Sequence, residues 1–442
     1  MHNIDLLIDA RWVVTVNNNN DVLEQHSVAI DKGRIIEILP SSVASDRYIA
    51  KTHHQLGDKA LMPGLINCHT HAAMSLFKGF ADDLPLMDWL ENHIWPAESK
   101  WVDEKFVHDG TELAMAEMLR SGTTCFTDMY FFPDVIAKAV NQSGMRAAVG
   151  MIVLDFPTVW AQNADEYIEK GLRLRDEYRE HSRIKTIFAP HAPYTVSEAA
   201  LSQVRMLSDE MDLPVTMHIH ETQSEVDQAI SQKQKRPLQS LNELGLVSPN
   251  LIAVHMTALN DDDIALLAEN AANIVHCPES NLKLASGFCP LGRLLNANIN
   301  VCLGTDGSAS NNDLDMFGEM KTAALLAKAV AADASCANAN DMLRMATING
   351  AKALGMSDEI GSLEVGKAAD MIAIDFSGLE SQPVYNPVSH LVFNTGRNQV
   401  SDVWVKGRHL LKARSLTRLD EDEIISKTRA WNDKIASHQN NS

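Results

Sequence analysis

Residues His69-Thr70-His71 stand at the end of the apolar run Leu61-Met62-Pro63-Gly64-Leu65-Ile66-Asn67-Cys68. In a strand, residues two apart face the same side, so both imidazoles can reach one metal ion from a single rigid element. Alone the pair means little, since 17 histidines in 442 residues give about one His-x-His by chance. Its weight comes from polar groups at or just after other strand-like segments: His191, His218 with Glu221, His255 and Asp306. His69, His71, His218 and Asp306 make three imidazoles and one carboxylate, a donor set suited to Zn²⁺ and, after it, Fe²⁺. One divalent ion per subunit held there would acidify a water near neutral pH and so supply a nucleophile. Glu221, three residues past His218, reads as a proton shuttle outside the ligand set. His255 reads as the group that orients the water, and Asp306 as a ligand that can also take its proton. These are the parts of a metal-assisted hydrolysis.

Such groups converge only if strands bring them together. Strand-like segments fall at Leu61–Cys68, Thr123–Asp128, Arg146–Ile152, Ile184–Pro190, Pro214–Ile219, Leu251–His255, Asn273–Cys277 and Asn300–Thr305, with amphipathic helical stretches between them. Eight βα units predict an α/β fold of the TIM type, a (β/α)8 barrel, and the candidate groups lie at C-terminal strand ends, where barrel sites form. Both ends of the chain instead read as β-rich, and Lys32-Gly33-Arg34 is echoed by Lys406-Gly407-Arg408. The expected organisation is a barrel over 58–361 and a small β-sandwich domain composed of 1–57 and 362–442. The last twenty residues read as a helix and a polar tail.

Composition narrows the partners. With 58 acidic against 38 basic residues and a formal charge of −20, a nucleic-acid groove or an anionic membrane surface is disfavoured, because both need clustered Lys and Arg. A small neutral or cationic substrate fits, and homo-oligomerisation is compatible with it. The six cysteines form no C-x-x-C pair and read as buried thiols of a reducing cytoplasm. The N-terminus reads as neither a signal peptide nor a membrane span.

Pro63-Gly64-Leu65-Ile66-Asn67-Cys68-His69-Thr70-His71, His218-x-x-Glu221-Thr222, His255, His276-Cys277-Pro278-x-Ser280-Asn281 and Gly304-Thr305-Asp306-Gly307 together resemble the amidohydrolase superfamily, in the branch that deaminates aromatic bases. More narrowly, the chain resembles the 5-methylthioadenosine/S-adenosylhomocysteine deaminases along its whole length. The resemblance implies a mononuclear site in which His191 contacts substrate, where binuclear relatives would place a bridging Lys. It further implies that Glu98 holds ribose hydroxyls and that Trp89 lines the nucleoside pocket. Trp89 also fits, with Leu86 and Leu90, the apolar face of a helix. His220, in the wrong register, is not a ligand.

By the same resemblance Glu221 protonates the ring nitrogen beside the amino-bearing carbon and Asp306 relays the proton to departing ammonia. The implied reaction is hydrolytic deamination of methylthioadenosine. A homocysteine tail calls for an Arg, yet 155–166 contains none and Arg146 begins a strand. Methylthioadenosine is therefore expected to be preferred over S-adenosylhomocysteine or adenosine. A guanine-type deaminase or s-triazine hydrolase of the same superfamily is the rival enzyme, and a catalytically silent barrel scaffold the non-enzyme alternative.

Overall fold

The structure, a computed structural model, describes residues 1–439. The chain starts with five strands, β1 (His2–Val14), β2 (Val22–Asp31), β3 (Arg34–Pro40), β4 (Tyr48–Gln55) and β5 (Lys59–Pro63). Eight more follow: β6 (Leu65–Thr70), β7 (Thr123–Asp128), β8 (Arg146–Val153), β9 (Ile184–Pro190), β10 (Val215–Ile219), β11 (Leu251–His255), β12 (Asn273–His276) and β13 (Asn300–Leu303). The chain ends with β14 (Met371–Asp375), β15 (Val400–Val405), β16 (Arg408–Lys412), β17 (Ser415–Leu416) and a helix over Glu421–Gln439. The polar tail expected after it, at 440–442, lies outside the described residues.

β6 to β13 pair in chain order, each parallel to the next. They are buried almost throughout, as parallel strands covered on both faces must be. Several of the helices between them start at a side-chain N-cap. The side chains of Asn163, Ser197, Thr222 and Asn260 each accept the amide N–H three residues on, satisfying a donor that the helix itself leaves unpaired.

Between the first and last of these strands, side chains carry the join. Asn67 Nδ2 donates to Thr305 Oγ1 at 2.7 Å, Thr305 N donates back to Asn67 Oδ1 at 3.0 Å, and Asp306 N donates to His69 O at 3.0 Å. The eight strands thus form a nearly closed barrel.

The β unit expected from both chain ends is one mixed sheet of nine strands, ordered β17-β16-β15-β14-β5-β1-β2-β3 with β4 also on β1. Leu6, Ile8, Val28, Met371 and Trp404 share its core. The two Lys-Gly turns touch: a Cβ on Gly33 would stand 2.6 Å from Lys406 O. Both glycines adopt positive φ, 75° and 70°, which only glycine takes at little cost.

One boundary differs from expectation. The apolar run Leu61–Cys68 is two strands, because β5 pairs with β1 and β14 of the terminal sheet while β6 belongs to the barrel. The chain crosses at Gly64, where a Cβ would overlap the Thr124 side chain at 2.1 Å. Uniform hydrophobicity hides that crossing, since the run is buried on both sides of it.

Arg146 does not face the barrel mouth. Its Nε donates to Asp370 Oδ2 at 2.9 Å with both side chains at least 95% buried, and its Nη1 donates to Ser182 O. Asp370 also accepts the Lys406 amide at 2.8 Å, so this pair ties the barrel to the terminal sheet. Removing one partner leaves a buried charge alone. Asp370→Ala is therefore expected to cost about 3–5 kcal/mol of stability, read as a lower urea midpoint at unchanged slope; a shift under about 1 kcal/mol would contradict this role.

Candidate active site

His69 and His71 leave β6 on one side and Asp306 enters from the end of β13, so the barrel join sets their spacing. His69 Nε2 and His71 Nε2 lie 3.4 and 3.2 Å from Asp306 Oδ1. His218, near the end of β10, places Nε2 3.0 Å from that of His69. The four donor atoms all fall within 4.8 Å of one another.

The rings are held from behind. His71 Nδ1–H donates to Met129 O at 2.6 Å and His218 Nδ1–H to His191 O at 2.8 Å, which leaves both Nε2 atoms as lone pairs pointing inward. Lone pairs facing one another and a carboxylate oxygen are satisfied by a cation between them. Burial drives His218 well below the usual imidazole range and His69 down to about 4, so both are neutral donors. For His71, burial acts downward but the Asp306 carboxylate overrides it and lifts the ring to about 9, a sign that this spot draws positive charge. Burial would raise Asp306, yet the adjacent His69 and His71 rings hold it well below the carboxylate range. The residues therefore fit one divalent metal ion.

Asp306 is itself clamped. Its Oδ2 accepts the hydroxyls of Ser280 and Ser310, each at 2.7 Å, and its Oδ1 accepts the Gly307 amide at 2.8 Å. His255 Nδ1–H donates to Asn281 Oδ1 at 2.8 Å, turning Nε2 toward Glu221 Oε2 at 3.6 Å. Ser286 Oγ donates to Glu221 Oε1 at 3.2 Å. Burial raises the Glu221 carboxyl above the ordinary range, with His255 opposing and Asp306 reinforcing the shift. Asp306 and His255 both take left-handed backbone, φ 64° and 76°, a strain of about 1–3 kcal/mol each that concentrates at functional sites.

The cluster opens into a cavity of about 650 Å³ whose lining includes His71, His218, Glu221, His255, Asp306, Glu98, Trp89, His191 and Tyr130. All the candidate residues from the sequence thus meet at one cavity, save His69, buried behind it. Burial lifts Glu98 to about 7 and drops His191 to about 3. Trp89, 5% exposed, is packed and also lines the cavity, so its two readings coexist. His220 turns away: its Nε2 accepts the Leu238 amide at 3.2 Å.

Sequence reasoning missed Ser310, Ser286, Tyr130 and the two carbonyl acceptors. Ser280 and Asn281 were visible in the His-Cys-Pro-x-Ser-Asn motif without a role. A second group, His108, Asp109 and Glu112, is already neutralised by Lys105 and Lys427.

Comparison with known proteins agrees. Residues 60–410 match the amidohydrolase family model. A 5-methylthioadenosine/S-adenosylhomocysteine deaminase of Teredinibacter turnerae is 51% identical over 98% of each chain, and one of Saccharophagus degradans is 52% identical over the same shares. The crystal structure of an adenosine deaminase from Xanthomonas campestris with bound zinc superimposes with a TM-score of 0.97 at 51% identity over 99% of each chain. The chain belongs to the amidohydrolase family, in the branch of its 5-methylthioadenosine/S-adenosylhomocysteine deaminase relatives.

The serine clamp makes a test of the metal reading. Removing both hydroxyls, in Ser280→Ala/Ser310→Ala, is expected to weaken zinc binding by about 10–100-fold, measured by competition with a chromogenic chelator. Unchanged affinity would mean that Asp306 does not depend on them to face the metal.

Proposed function

We propose that this chain hydrolytically deaminates the adenine ring of 5′-methylthioadenosine, giving 5′-methylthioinosine and ammonia, with S-adenosylhomocysteine and adenosine as poorer substrates. One observation carries this reading: His71, His218 and Asp306 of the metal-ligand cluster line one cavity together with Glu221 and His255, and that lining holds no Lys or Arg. Such a chamber suits a neutral aromatic nucleoside with an apolar 5′ substituent. The names of the relatives support the same chemistry, and the six thiols, all free, support a reducing cytoplasm.

Zn²⁺, or Fe²⁺ in its place, would be held by His69, His71, His218 and Asp306 and would supply a nucleophilic water at neutral pH. Glu221, whose burial raises its carboxyl above the ordinary range, donates a proton to the ring nitrogen next to the amino-bearing carbon, which makes that carbon electrophilic. His255 Nε2 orients the attacking water, its own ring fixed by Asn281. Asp306 accepts the proton that the water gives up and passes it to the departing amino group, which leaves as ammonia, while the second water proton returns to Glu221 as the ring carbonyl forms. His191 contacts the ring and Glu98 accepts hydrogen bonds from the ribose hydroxyls.

An S-adenosylhomocysteine tail brings a carboxylate into an apolar space that offers no cation, and burying that charge unpaired is costly. The kcat/KM for methylthioadenosine is therefore expected to exceed that for S-adenosylhomocysteine by about tenfold or more, about 1.4 kcal/mol of transition-state binding. Loss of adenine absorbance with ammonia release reads this out. Comparable efficiencies would sink the preference, and no turnover of any adenine nucleoside by zinc-loaded protein would sink the reading itself.

Glu98 gives a pH signature. Its folded-state carboxyl, at about 7 against an ordinary 4.5, keeps a proton that the unfolded chain releases. Its contribution to stability is thus full below about pH 4.5 and lost as pH rises through about 7. Ribose hydroxyls bind the ionised form, so KM for nucleosides should fall as pH rises across that interval. Glu98→Gln is expected to flatten this dependence and raise the nucleoside KM about tenfold. A Glu98→Gln enzyme with unaltered nucleoside kinetics would instead favour a free-base substrate.

A further inference from the structure

We propose that Glu225 is a positioning residue for Glu221: its carboxylate pins the two consecutive backbone amides on which the Glu221 side chain is mounted. The inference rests on the reading of Glu221 as the proton-transfer group and extends it to a residue that touches no reacting atom.

The need arises where β10 stops. Its ladder with β11 runs from Val215↔Leu251 to Ile219↔His255, so the next two amides, of His220 and Glu221, have no strand to bond. Buried amides without acceptors are costly. His220 also turns the chain with a φ of 52°, which ends the extended path and carries Glu221 toward the cavity.

Glu225 supplies both acceptors. Its Oε1 lies 3.1 Å from His220 N and its Oε2 2.8 Å from Glu221 N. The side chain springs from the first turn of the helix Gln223–Lys233, and its own amide donates to the Thr222 Oγ1 cap at 3.2 Å. The cap therefore fixes the clamp as well as the helix. On the opposite side, Thr257 Oγ1 donates to Glu221 O at 2.6 Å, and the Thr257 and Ala258 amides donate to His220 O at 3.0 and 3.1 Å. The loop is held by its carbonyls from the β11 exit and by its amides from Glu225. A carboxylate accepting two N–H groups is a strong arrangement. Glutamine cannot copy it, since one of its two terminal atoms is itself a donor.

Glu221 reaches its ring-nitrogen target only if this mount holds, because a displacement of about 1 Å costs about 100-fold in rate. The test uses zinc-loaded full-length protein carrying Glu225→Gln or Glu225→Ala. For methylthioadenosine the expected result is a fall in kcat of about 10–100-fold with KM changed less than about threefold and zinc content unaltered. In a Glu221→Gln background, Glu225→Gln should cost almost nothing more, since the group it positions is already gone. Full kcat in a folded Glu225→Gln enzyme overturns the proposal. So does a loss of kcat that comes with lost zinc or lost secondary structure in both variants, which marks a general structural role. Undiminished kcat in Glu221→Gln alone would instead refute the assignment of Glu221, whatever the Glu225 variants do.

Discussion

The join between the first and last barrel strands is the constraint on which the site depends. Asn67 and Thr305 exchange two hydrogen bonds in the fully buried seam, and the next amide, of Asp306, bonds the carbonyl of His69. That last bond sets the carboxylate against the two imidazoles of His69 and His71. A barrel held open there would still present histidines on β6 and β10, but the acidic donor would be displaced and the cluster would lack its anion. Closure of the fold and assembly of the ligand set are one event, which is why ligands so distant in sequence can meet to within a few ångströms.

Assembling four polar groups in a buried space has an electrostatic cost, and the surroundings offset it group by group. Met129 and His191 carbonyls take the outward N–H of two rings, two serines and an amide satisfy Asp306, and Asn281 fixes His255. Each partner also removes rotational freedom, so the donor atoms are organised before any ion arrives. The short helix Pro278–Lys283 is economical in this respect, since adjacent residues Ser280 and Asn281 serve Asp306 and His255 respectively. The family relationship and the zinc of the Xanthomonas campestris structure are consistent with this geometry, which reaches the same conclusion from the orphaned lone pairs.

Much of the barrel was legible from sequence because its signal is periodic: fully apolar strands recur between amphipathic helices, and polar groups fall at their ends. The ligand histidines stood out by the two-residue period of β6 and by their place at strand ends. Three things were hidden. The crossing from β5 to β6 at Gly64 lies inside an unbroken apolar run, so hydrophobicity could not divide it. Arg146, weighed as a tail contact, is engaged by Asp370, a partner more than two hundred residues away that no local pattern reveals. Backbone carbonyls and the hydroxyls of Ser286 and Ser310 carry no sequence signature, since any serine in a loop looks alike until the loop is folded.

The division of labour within the cavity follows from how barrels are built. The His69, His71, His218 and Asp306 cluster sits at or just past strand ends with the short helix Pro278–Lys283 bonded to it, where rigidity can hold donors in place. Other lining comes from connecting segments, with Trp89 and Glu98 after β6 and Leu154, Phe156 and Val159 after β8. Loops can change without disturbing the seam, so substrate choice can shift while the hydrolytic machinery stays fixed. In this chain the loop lining is mostly apolar and free of Lys and Arg, whereas Glu221 and His255 lie beside the His69, His71, His218 and Asp306 cluster. The absence of a cation at the loop end, more than any group beside the metal, is what argues for a short thioether at the 5′ position.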